Sequence, residues 1–147
     1  MASRTSLGPE DCNCLAVRQA ARHITQFYDQ LLAPSGLRTT QFSILAKLRR
    51  LGPMTINALA AEMVMDRTTL GRNILPLERD DLIAVEQSSR DRRSKELRVT
   101  EAGEARFRAG MIGWVQAQRK FETAFGANRT ADMRALLHAV AATELGM

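Results

Sequence analysis

Four of the six residues from 90 to 95 carry a positive charge. They are Arg90, Arg92, Arg93 and Lys95, and Asp91 lies among them. We call this segment the basic tip. An earlier group of hydrogen-bonding residues follows a spacing that favours one side of a helix. Its members are Arg67, Thr68, Thr69, Arg72 and Asn73. Guanidinium groups bind phosphates and base edges, and hydroxyl and amide groups bond to bases. Together the two groups indicate a grooved polyanion, and double-stranded DNA has this chemistry.

The composition agrees with a folded chain and an anionic partner. The 147 residues include 21 Lys and Arg against 16 Asp and Glu, a formal net charge of +5. The apolar fraction of 45% and the charged fraction of 25% are ordinary for a globular protein. Because a chain of this length can bury one hydrophobic core, we expect a single domain over residues 1–147.

No segment indicates export or insertion into a membrane. Residues 1–11 contain one Arg and no apolar run of signal-peptide length, and no long apolar stretch occurs elsewhere. Cys12 and Cys14 are too few for a secreted disulfide framework, and a bridge between positions two apart is awkward within a helix. We therefore expect a cytoplasmic protein with reduced thiols and no membrane contact.

Apolar spacing predicts two helices in the first third of the chain. Apolar residues at positions 20, 24, 27 and 31 share one face of a helix over about 14–32, which Pro34 to Gly36 should end. A second helix should run from an N-cap at Thr39 or Thr40 to Leu51, and Gly52 and Pro53 should stop it. Its expected buried residues are Phe42, Leu45 and either Leu48 or Leu51.

The next two helices contain the first of the two polar groups. Thr55 should cap a short helix over residues 56–63, and Asp66 should cap a helix that reaches about residue 80. Pro76 lies inside this helix and is expected to kink it rather than end it. The core face of the helix comprises Leu70, Ile74 and Leu77. On the other side lies the reading face, by which we mean Thr68, Thr69, Arg72, Asn73 and Arg79.

The remaining chain predicts a hairpin and two more helices. Residues 82–87 and 96–100 are β-like, so the basic tip joins them as a hairpin. Thr100 should cap a long helix with an apolar stripe from Phe107 to Phe125. A break over Gly126 to Asn128 should precede a closing helix. The order helix, turn, helix and hairpin describes a winged helix-turn-helix, and the fold class is mostly α with a small β-hairpin.

At this point the chain resembles the MarR family of bacterial transcription regulators across nearly its whole length. The matching segments are Leu37 to Phe42, Leu59-Ala60, Asp66 to Leu70 and Leu77 to Arg79. The hairpin from Asp91 to Gly103 matches the family pattern of Asp-x-Arg, then Leu-x-Leu/Val-Thr, then Gly. The resemblance rests on all of these segments in the correct order, since each alone is a weak signal.

The resemblance implies a homodimer that binds a pseudo-palindromic operator. Residues from about 12 to 35 and from 104 to 147 would form the dimerisation helices, and residues 37–103 the winged lobe. By analogy with the family, Arg67, Thr68, Thr69, Arg72 and Asn73 map onto the recognition helix. The wing would use Arg90, Arg92, Arg93 and Lys95, with Asp91 orienting a neighbouring arginine.

The most concrete reading is a repressor that a small-molecule effector, with an aromatic one as a candidate, releases from DNA. Related regulators bind such ligands between the dimerisation helices and the winged lobe, where we place His23, Phe27, Phe42 and Trp114. A core or dimer-seam role is the alternative for the aromatic residues.

Two other functions stay open. A branch of the family senses hydroperoxides through a cysteine in the first helix with the help of tyrosine hydroxyls. Cys12 and Cys14 could act in this way, although Tyr28 is the single tyrosine and the flanking sequence differs. The second is a winged helix that contacts proteins or binds DNA without sequence preference.

Catalysis and resident cofactors have no support in the sequence. No phosphate-binding glycine loop, nucleophile elbow or His-Glu-x-x-His motif occurs. Cys12, Cys14, His23 and His138 lack the spacing of a metal site. We therefore expect neither an enzyme nor a metal or cofactor.

Overall fold

The computed structural model describes residues 6–147, which form six α-helices and three short strands. Residues 1–5, part of the stretch in which we predicted no signal peptide, lie outside the described residues. The helices are α1 (Asn13–Leu32), α2 (Thr39–Leu51), α3 (Ile56–Met63), α4 (Arg67–Arg79), α5 (Glu101–Phe125) and α6 (Ala127–Ala142). The strands are β1 (Met54–Thr55), β2 (Ile83–Gln87) and β3 (Lys95–Val99). The predicted fold class is confirmed.

Three of the predicted helix caps are confirmed. Thr55, Asp66 and Thr100 each accept a hydrogen bond from the backbone amide three residues later, at 3.1, 2.8 and 3.0 Å. These bonds satisfy amides that the first turn of a helix leaves without a partner. The α4 helix continues through Pro76 to Arg79, so the proline does not end it.

The predicted cap of α2 is wrong. Thr39 is the first helical residue rather than the cap, and its amide and hydroxyl both donate to Asp29 Oδ1 of α1 at 2.7 Å. Arg38 occupies the N-cap position, and its own amide donates to Gln41 Oε1 at 3.0 Å. A carboxylate from another helix thus replaces the local cap. Near the other end of α2, Leu48 is buried and Leu51 is 43% exposed.

The wing contains a third strand that the sequence did not indicate. The sheet order is β1-β3-β2, and both pairings are antiparallel. In β1, Met54 pairs with Leu97 and Thr55 pairs with Glu96. A strand of two residues has no readable alternation, so only the partner strand reveals it. The pairing anchors the base of the wing next to the start of α3.

Two glycines let α5 approach its neighbours very closely. A Cβ atom at Gly103 would lie 2.1 Å from the carbonyl oxygen of Leu82, and one at Gly113 would lie 2.0 Å from that of Leu31. Both distances are far below van der Waals contact, so neither position accepts a side chain without a backbone shift. The α5 helix therefore joins the winged lobe at one end and α1 further along.

The break between the last two helices is shorter than we predicted. Gly126 alone interrupts them, with φ of 104°, and Ala127 already begins α6. The Thr130 amide and hydroxyl both bond to the Gly126 carbonyl, at 2.9 and 2.7 Å. The predicted break over three residues is therefore wrong in extent.

The buried core lies mainly in the winged lobe. Most of its fully buried side chains come from α2, α3, α4 and the hairpin, and they include Ile44, Leu45, Leu59, Leu70 and Leu77. By contrast, α1 buries only Leu32 and α6 only Thr130. Within residues 6–147, no helix combines the length and apolar character needed to cross a membrane.

Candidate nucleic-acid interface

The α4 helix separates a buried face from an exposed one, as predicted. Leu70, Ile74 and Leu77 are at most 4% exposed and pack into the lobe. On the other side, Thr68 and Arg72 are exposed. Within residues 6–147, the side chains of Arg67, Thr68 and Arg72 make no hydrogen bond or ion pair with the protein. These groups are available to an external partner.

The other two members of the predicted recognition group are engaged inside the helix. The Thr69 hydroxyl donates to Asp66 Oδ2 at 2.7 Å, and the side-chain amide of Asn73 (Nδ2) donates to the Thr69 carbonyl at 2.9 Å. Asn73 is also half-buried, at the edge of the reading face where α1 and α2 approach. To contact a base, the side-chain amide of Asn73 would first have to break its hydrogen bond to the Thr69 carbonyl.

Asp66 stabilises the start of the helix through its charge. The hydroxyl and amide of Thr69 both donate to its carboxylate, and they hold the pKa of Asp66 below its ordinary value of 3.8. An ionised carboxylate at this position also interacts favourably with the positive end of the helix dipole. The first turn of α4 is therefore stabilised by bonds within the protein.

The loop of the wing is organised around one buried hydroxyl. Ser88 is only 6% exposed, and its Oγ accepts hydrogen bonds from the amides of Arg90 and Asp91 at 3.2 and 3.3 Å. The same Oγ donates to Glu96 Oε1 at 2.9 Å, and the Ser88 amide donates to the Ser94 carbonyl at 2.9 Å. The backbone of the basic tip is thereby tied to both strands.

Asp91 acts on the backbone of the tip. Its Oδ1 accepts from the Arg93 amide at 3.0 Å, and its Oδ2 accepts from the Ser94 hydroxyl at 3.4 Å. We expected it to orient a neighbouring arginine; within residues 6–147 it forms no ion pair with one. Gln87 Nε2 donates to the Arg92 carbonyl at 2.7 Å. The bonded backbone leaves the side chains of Arg92 and Arg93 exposed.

Intramolecular partners fix the positions of several charged side chains in this region. From residue 66 to residue 98 the sequence contains eight basic and seven acidic side chains, which is nearly neutral. Four of the acids are engaged: Asp66 and Asp91 cap turns, Glu96 accepts from Ser88, and Glu86 pairs with Arg98 at 2.7 Å. Hydrogen bonding and the charge of Arg98 lower the pKa of Glu86. The side chains of Arg72, Arg92 and Arg93 are exposed and, within residues 6–147, form no ion pair.

The four residues predicted to line one effector pocket do not come together. Phe42 and Trp114 line a cavity of about 370 Å³ between α2 and α5, with Lys47 and Arg50. His23 and Phe27 line a separate cavity of about 540 Å³ between α1 and the end of α5. The long α5 helix runs past both cavities, so residues at its two ends face different neighbours. Within a single chain the structure therefore places the four residues in two cavities rather than one.

An aromatic stack connects the winged lobe to α5 beside the first cavity. The rings of Phe42 and Phe107 are stacked with centroids 4.9 Å apart, and Trp114 lies 6.1 Å from Phe42 on the other side. The Arg49 guanidinium lies 4.3 Å above the Phe107 ring, and its Nε bonds Glu104 at 2.7 Å. The cavity is therefore lined by the same aromatic side chains that join α2 to α5.

Both cysteines are exposed free thiols at the start of α1. Cys12 is the N-cap, and its sulfur accepts from the Leu15 amide at 3.3 Å. Tyr28 lies fourteen residues beyond Cys14 on the same helix, a distance of about 21 Å. Its hydroxyl instead donates to Gln118, and burial with the nearby Glu122 charge raises the pKa of Tyr28. Tyr28 therefore cannot assist either thiol of its own chain.

Three further residues of α4 and the wing were not predicted from the sequence as part of this surface. Leu75 lies on the reading face between Arg72 and Arg79 and is 63% exposed. Gly71 lies one turn before it, and Ser88 organises the basic tip. A helical projection extended beyond the polar residues would have placed Leu75 on this face. No local pattern distinguishes Ser88, because its role depends on the closed hairpin.

Comparisons with known proteins agree with this architecture. The MarR family model matches residues 37–95. The chain is 35% identical to the transcriptional regulator MosR of M. tuberculosis, whose structure contains DNA, over 91% of this chain and 99% of that one, with a TM-score of 0.77. BpsR of Bordetella bronchiseptica has the same fold, with a TM-score of 0.83 at 19% identity over 95% of this chain and all of that one.

A curated relative agrees over a shorter segment. The HTH-type transcriptional regulator YwoH of Bacillus subtilis is 31% identical over 91 residues, which are 62% of this chain and 66% of that protein. The family match, the similarity to MosR over nearly its full length and the winged lobe with its exposed basic surface lead to one assignment. The chain belongs to the MarR family of winged helix-turn-helix, DNA-binding transcription regulators.

Proposed function

We propose that the protein is a homodimeric repressor that reads a pseudo-palindromic operator and leaves it when a small molecule binds. The observation that carries the proposal is the pairing of two exposed basic surfaces on one lobe, the reading face of α4 and the basic tip. An α-helix fits the major groove, and an arginine-bearing hairpin beside it reaches the flanking backbone.

The two surfaces would have different tasks. Arg72 and Thr68 on α4 would meet base edges, where a guanidinium recognises guanine acceptors. Arg67 lies in the first turn of α4, close to where this helix would cross the DNA backbone. Arg92 and Arg93, with Arg90 and Lys95, would contact phosphates or the adjacent minor groove, where the negative potential is concentrated. Thr69 and Asn73 would support the helix unless DNA displaces their internal bonds.

Exposed apolar side chains support the homodimer. Leu136, Leu137 and Val140 of α6 are 68, 43 and 55% exposed, and Leu15 and Val17 of α1 are each 44% exposed. We propose that a second copy covers these side chains, so that residues 12–35 and 104–147 form the dimerisation region. Two-fold symmetry then requires half-sites about one helical turn apart.

The effector would bind in the cavity lined by Phe42 and Trp114. Its aromatic wall suits a ring, and Lys47 and Arg50 suit an anionic substituent. Lys47 also pairs with Glu62 of α3 at 3.3 Å, so an anion at Lys47 would compete with a contact inside the winged lobe. Release requires that the ligand prefer a conformation whose recognition helices no longer match the operator.

Two arginine variants test the reading of DNA. Arg72→Ala should weaken binding to a selected operator and change the preferred sequence, because Arg72 faces the bases. Arg93→Ala should weaken binding to all sequences about equally and reduce its salt dependence, because Arg93 neutralises a phosphate. Arg119→Ala removes an exposed arginine of α5 and is the matched control; because Arg119 lies in the proposed dimerisation region, analytical ultracentrifugation must show that this variant keeps the wild-type oligomeric state.

Binding would be measured by fluorescence anisotropy at several salt concentrations. Wild-type affinity in both Arg72→Ala and Arg93→Ala would contradict the assigned DNA surface. Equal binding of operator and random duplexes at physiological salt would instead favour a DNA-packaging or protein-contact module. Transcription from a promoter containing the operator should rise when the gene for this protein is deleted. A fall in transcription would show that the protein is an activator rather than a repressor.

The single tryptophan provides a test of the effector site. Benzoate, the simplest aromatic carboxylate, should quench Trp114 fluorescence and weaken operator binding, and Lys47→Gln should reduce both effects. Quenching without any loss of operator binding would contradict a regulatory role for this cavity. His23→Ala, in the separate cavity, is the control and should respond as the wild type does.

A thiol switch is the second candidate function. It is favoured by the exposure of both thiols and their position two residues apart at the start of α1. A hydroperoxide would oxidise one of the two thiols to a sulfenic acid and would itself be reduced to an alcohol. Peroxide should then release the wild type from DNA but not the variant, Cys12→Ser or Cys14→Ser, that lacks the reactive thiol. Release of both variants would eliminate this mechanism.

A further inference from the structure

The reading face of α4 contains an exposed leucine at its centre. Leu75 is 63% exposed, although the three other apolar side chains Leu70, Ile74 and Leu77 are buried. It lies three residues after Arg72 and four before Arg79, so both arginines flank it on the same side of the helix. An apolar side chain between two cations does not contribute to the core of its own lobe.

The same helix contains a glycine that the fold does not need. A Cβ at Gly71 would meet no atom of residues 6–147 within 4 Å, and the φ of Gly71 is an ordinary helical one. The buried glycines of α5 differ, since a Cβ at Gly103 or Gly113 would lie about 2 Å from a backbone oxygen. Glycine lowers the stability of a helix interior relative to alanine. Among the described residues, no contact accounts for that loss at Gly71.

The two residues are neighbours on the helix surface. Gly71 precedes Leu75 by one turn, and a helical side chain leans toward the turn before it. Leu75 and the open surface at Gly71 therefore form a step: a short apolar projection next to a place where another molecule can approach the backbone. Thr68, three residues before Gly71, extends this strip.

We propose that the step receives the 5-methyl group of a thymine in each operator half-site. Leu75 would contact the methyl group, and Gly71 would leave room for the adjoining DNA strand. The thymine methyl is the apolar group that the major groove presents, and side chains of this kind recognise it by contact. The inference rests on the proposed DNA-reading function and adds the base that it prefers.

The surroundings favour DNA over a protein as the occupant. Arg72 and Arg79 flank Leu75, and Arg67 lies one turn before Gly71, so cations outnumber the one acid beside the step, Glu78. The arginines of the basic tip add further positive charge on the same lobe. A surplus of cations around a small apolar contact complements a polyanionic groove that contains methyl groups.

The test begins with duplexes selected by the wild-type protein from a random library. The selected sequences should contain a thymine at one fixed position of each half-site. Replacing that thymine with deoxyuridine removes only the methyl group. Affinity should fall by about fourfold for each half-site, or ~15-fold for both, which corresponds to the burial of about one methyl group at each.

Variants then assign the effect to the step. Leu75→Ala should bind thymine and deoxyuridine duplexes within about twofold of each other, because the methyl group has lost its partner. Gly71→Ala should weaken binding to both duplexes while the protein remains folded. Leu51→Ala is the matched control, since Leu51 is an exposed leucine of the same lobe outside the reading face. It should discriminate as the wild type does.

The outcomes separate this inference from the proposed function. If the wild type selects no sequence, the DNA-reading function itself fails. If it selects an operator but Leu75→Ala still distinguishes thymine from deoxyuridine by the wild-type ratio, DNA reading stands and the methyl contact is wrong. Unchanged operator affinity in Gly71→Ala would overturn the role of the glycine in the step.

Discussion

The same substitution at two helical glycines should have opposite effects on stability. Gly113→Ala places a methyl group 2.0 Å from the carbonyl oxygen of Leu31 and 2.7 Å from its carbonyl carbon. Gly71→Ala places one in open space. Because both positions lie inside helices, the gain in helix propensity is similar, about 0.5–1 kcal/mol for each. The difference between the variants therefore measures the close approach of α1 and α5.

The size of the effect follows from the geometry. Ordinary contact begins near 3.4 Å, so α1 and α5 must separate by more than 1 Å around Gly113. Overpacking of a core costs about 1–3 kcal/mol, and the upper end applies because the opposing atoms belong to backbone. After the gain in propensity, Gly113→Ala should lose about 2 kcal/mol. Melting temperature should fall by about 4–8 °C, whereas Gly71→Ala should raise it by about 1–4 °C.

Thermal unfolding followed by circular dichroism would measure both variants. Protein concentration must be equal in all samples, since a dimer gains stability by mass action. A melting temperature of Gly113→Ala at or above that of Gly71→Ala would refute the reasoning, because it would mean that α1 and α5 separate at no cost. Operator binding of Gly71→Ala provides an independent reading, since that variant should be more stable yet bind less tightly.

Three further predictions concern the caps and the dimer. Asp66→Ala should lower the melting temperature at pH 7, and the difference should narrow as the pH falls below 3.8. The reason is that a lowered pKa stabilises the fold above the ordinary value of 3.8 and loses this effect as the pH falls through the folded value. A difference that is constant from pH 7 to pH 3 would contradict this. Ser88→Ala removes the acceptor of two backbone amides of the basic tip and should destabilise the tip by about 1 kcal/mol. The amides of Arg90 and Asp91 should then exchange their hydrogens faster. Unchanged exchange would show that Ser88 does not organise the tip. Leu137→Asp should yield monomers in analytical ultracentrifugation, and a dimer that persists would move the interface away from α6.

Helix positions and the general kind of site could be predicted from the sequence. Thr55, Asp66 and Thr100 cap helices as expected, since a cap bonds to an amide only three residues away. The start of α2 could not be predicted in this way, because Asp29 of another helix supplies the acceptor for Thr39. The two-residue strand β1 could not be predicted from the sequence for the same reason, since it is defined by its pairing with β3.

The site shows the same division. Spacing along α4 placed Arg72 and Thr68 on an exposed face, because the helix period alone determines which residues share a side. The same spacing assigned Asn73 to that face, although its amide bonds to the Thr69 carbonyl and its side chain is half-buried. The proposed effector residues separated into two cavities, because α5 is long enough to face different neighbours along its length.

The sequence by itself determined the order of helices and hairpin, the core face of α4 and the presence of many arginines near the wing. These properties depend on local periodicity and capping, which act over a few residues. Only the tertiary structure decided which charges remain available. Between residues 66 and 98 basic and acidic side chains nearly balance in number, and folding decides where these charges lie. The carboxylates of Asp66, Asp91 and Glu96 are held by hydrogen bonds within the protein and Glu86 pairs with Arg98, whereas the side chains of Arg72, Arg92 and Arg93 stay exposed. The partners come from turns and neighbouring strands, so the arrangement of charge that DNA would meet depends on the closed fold.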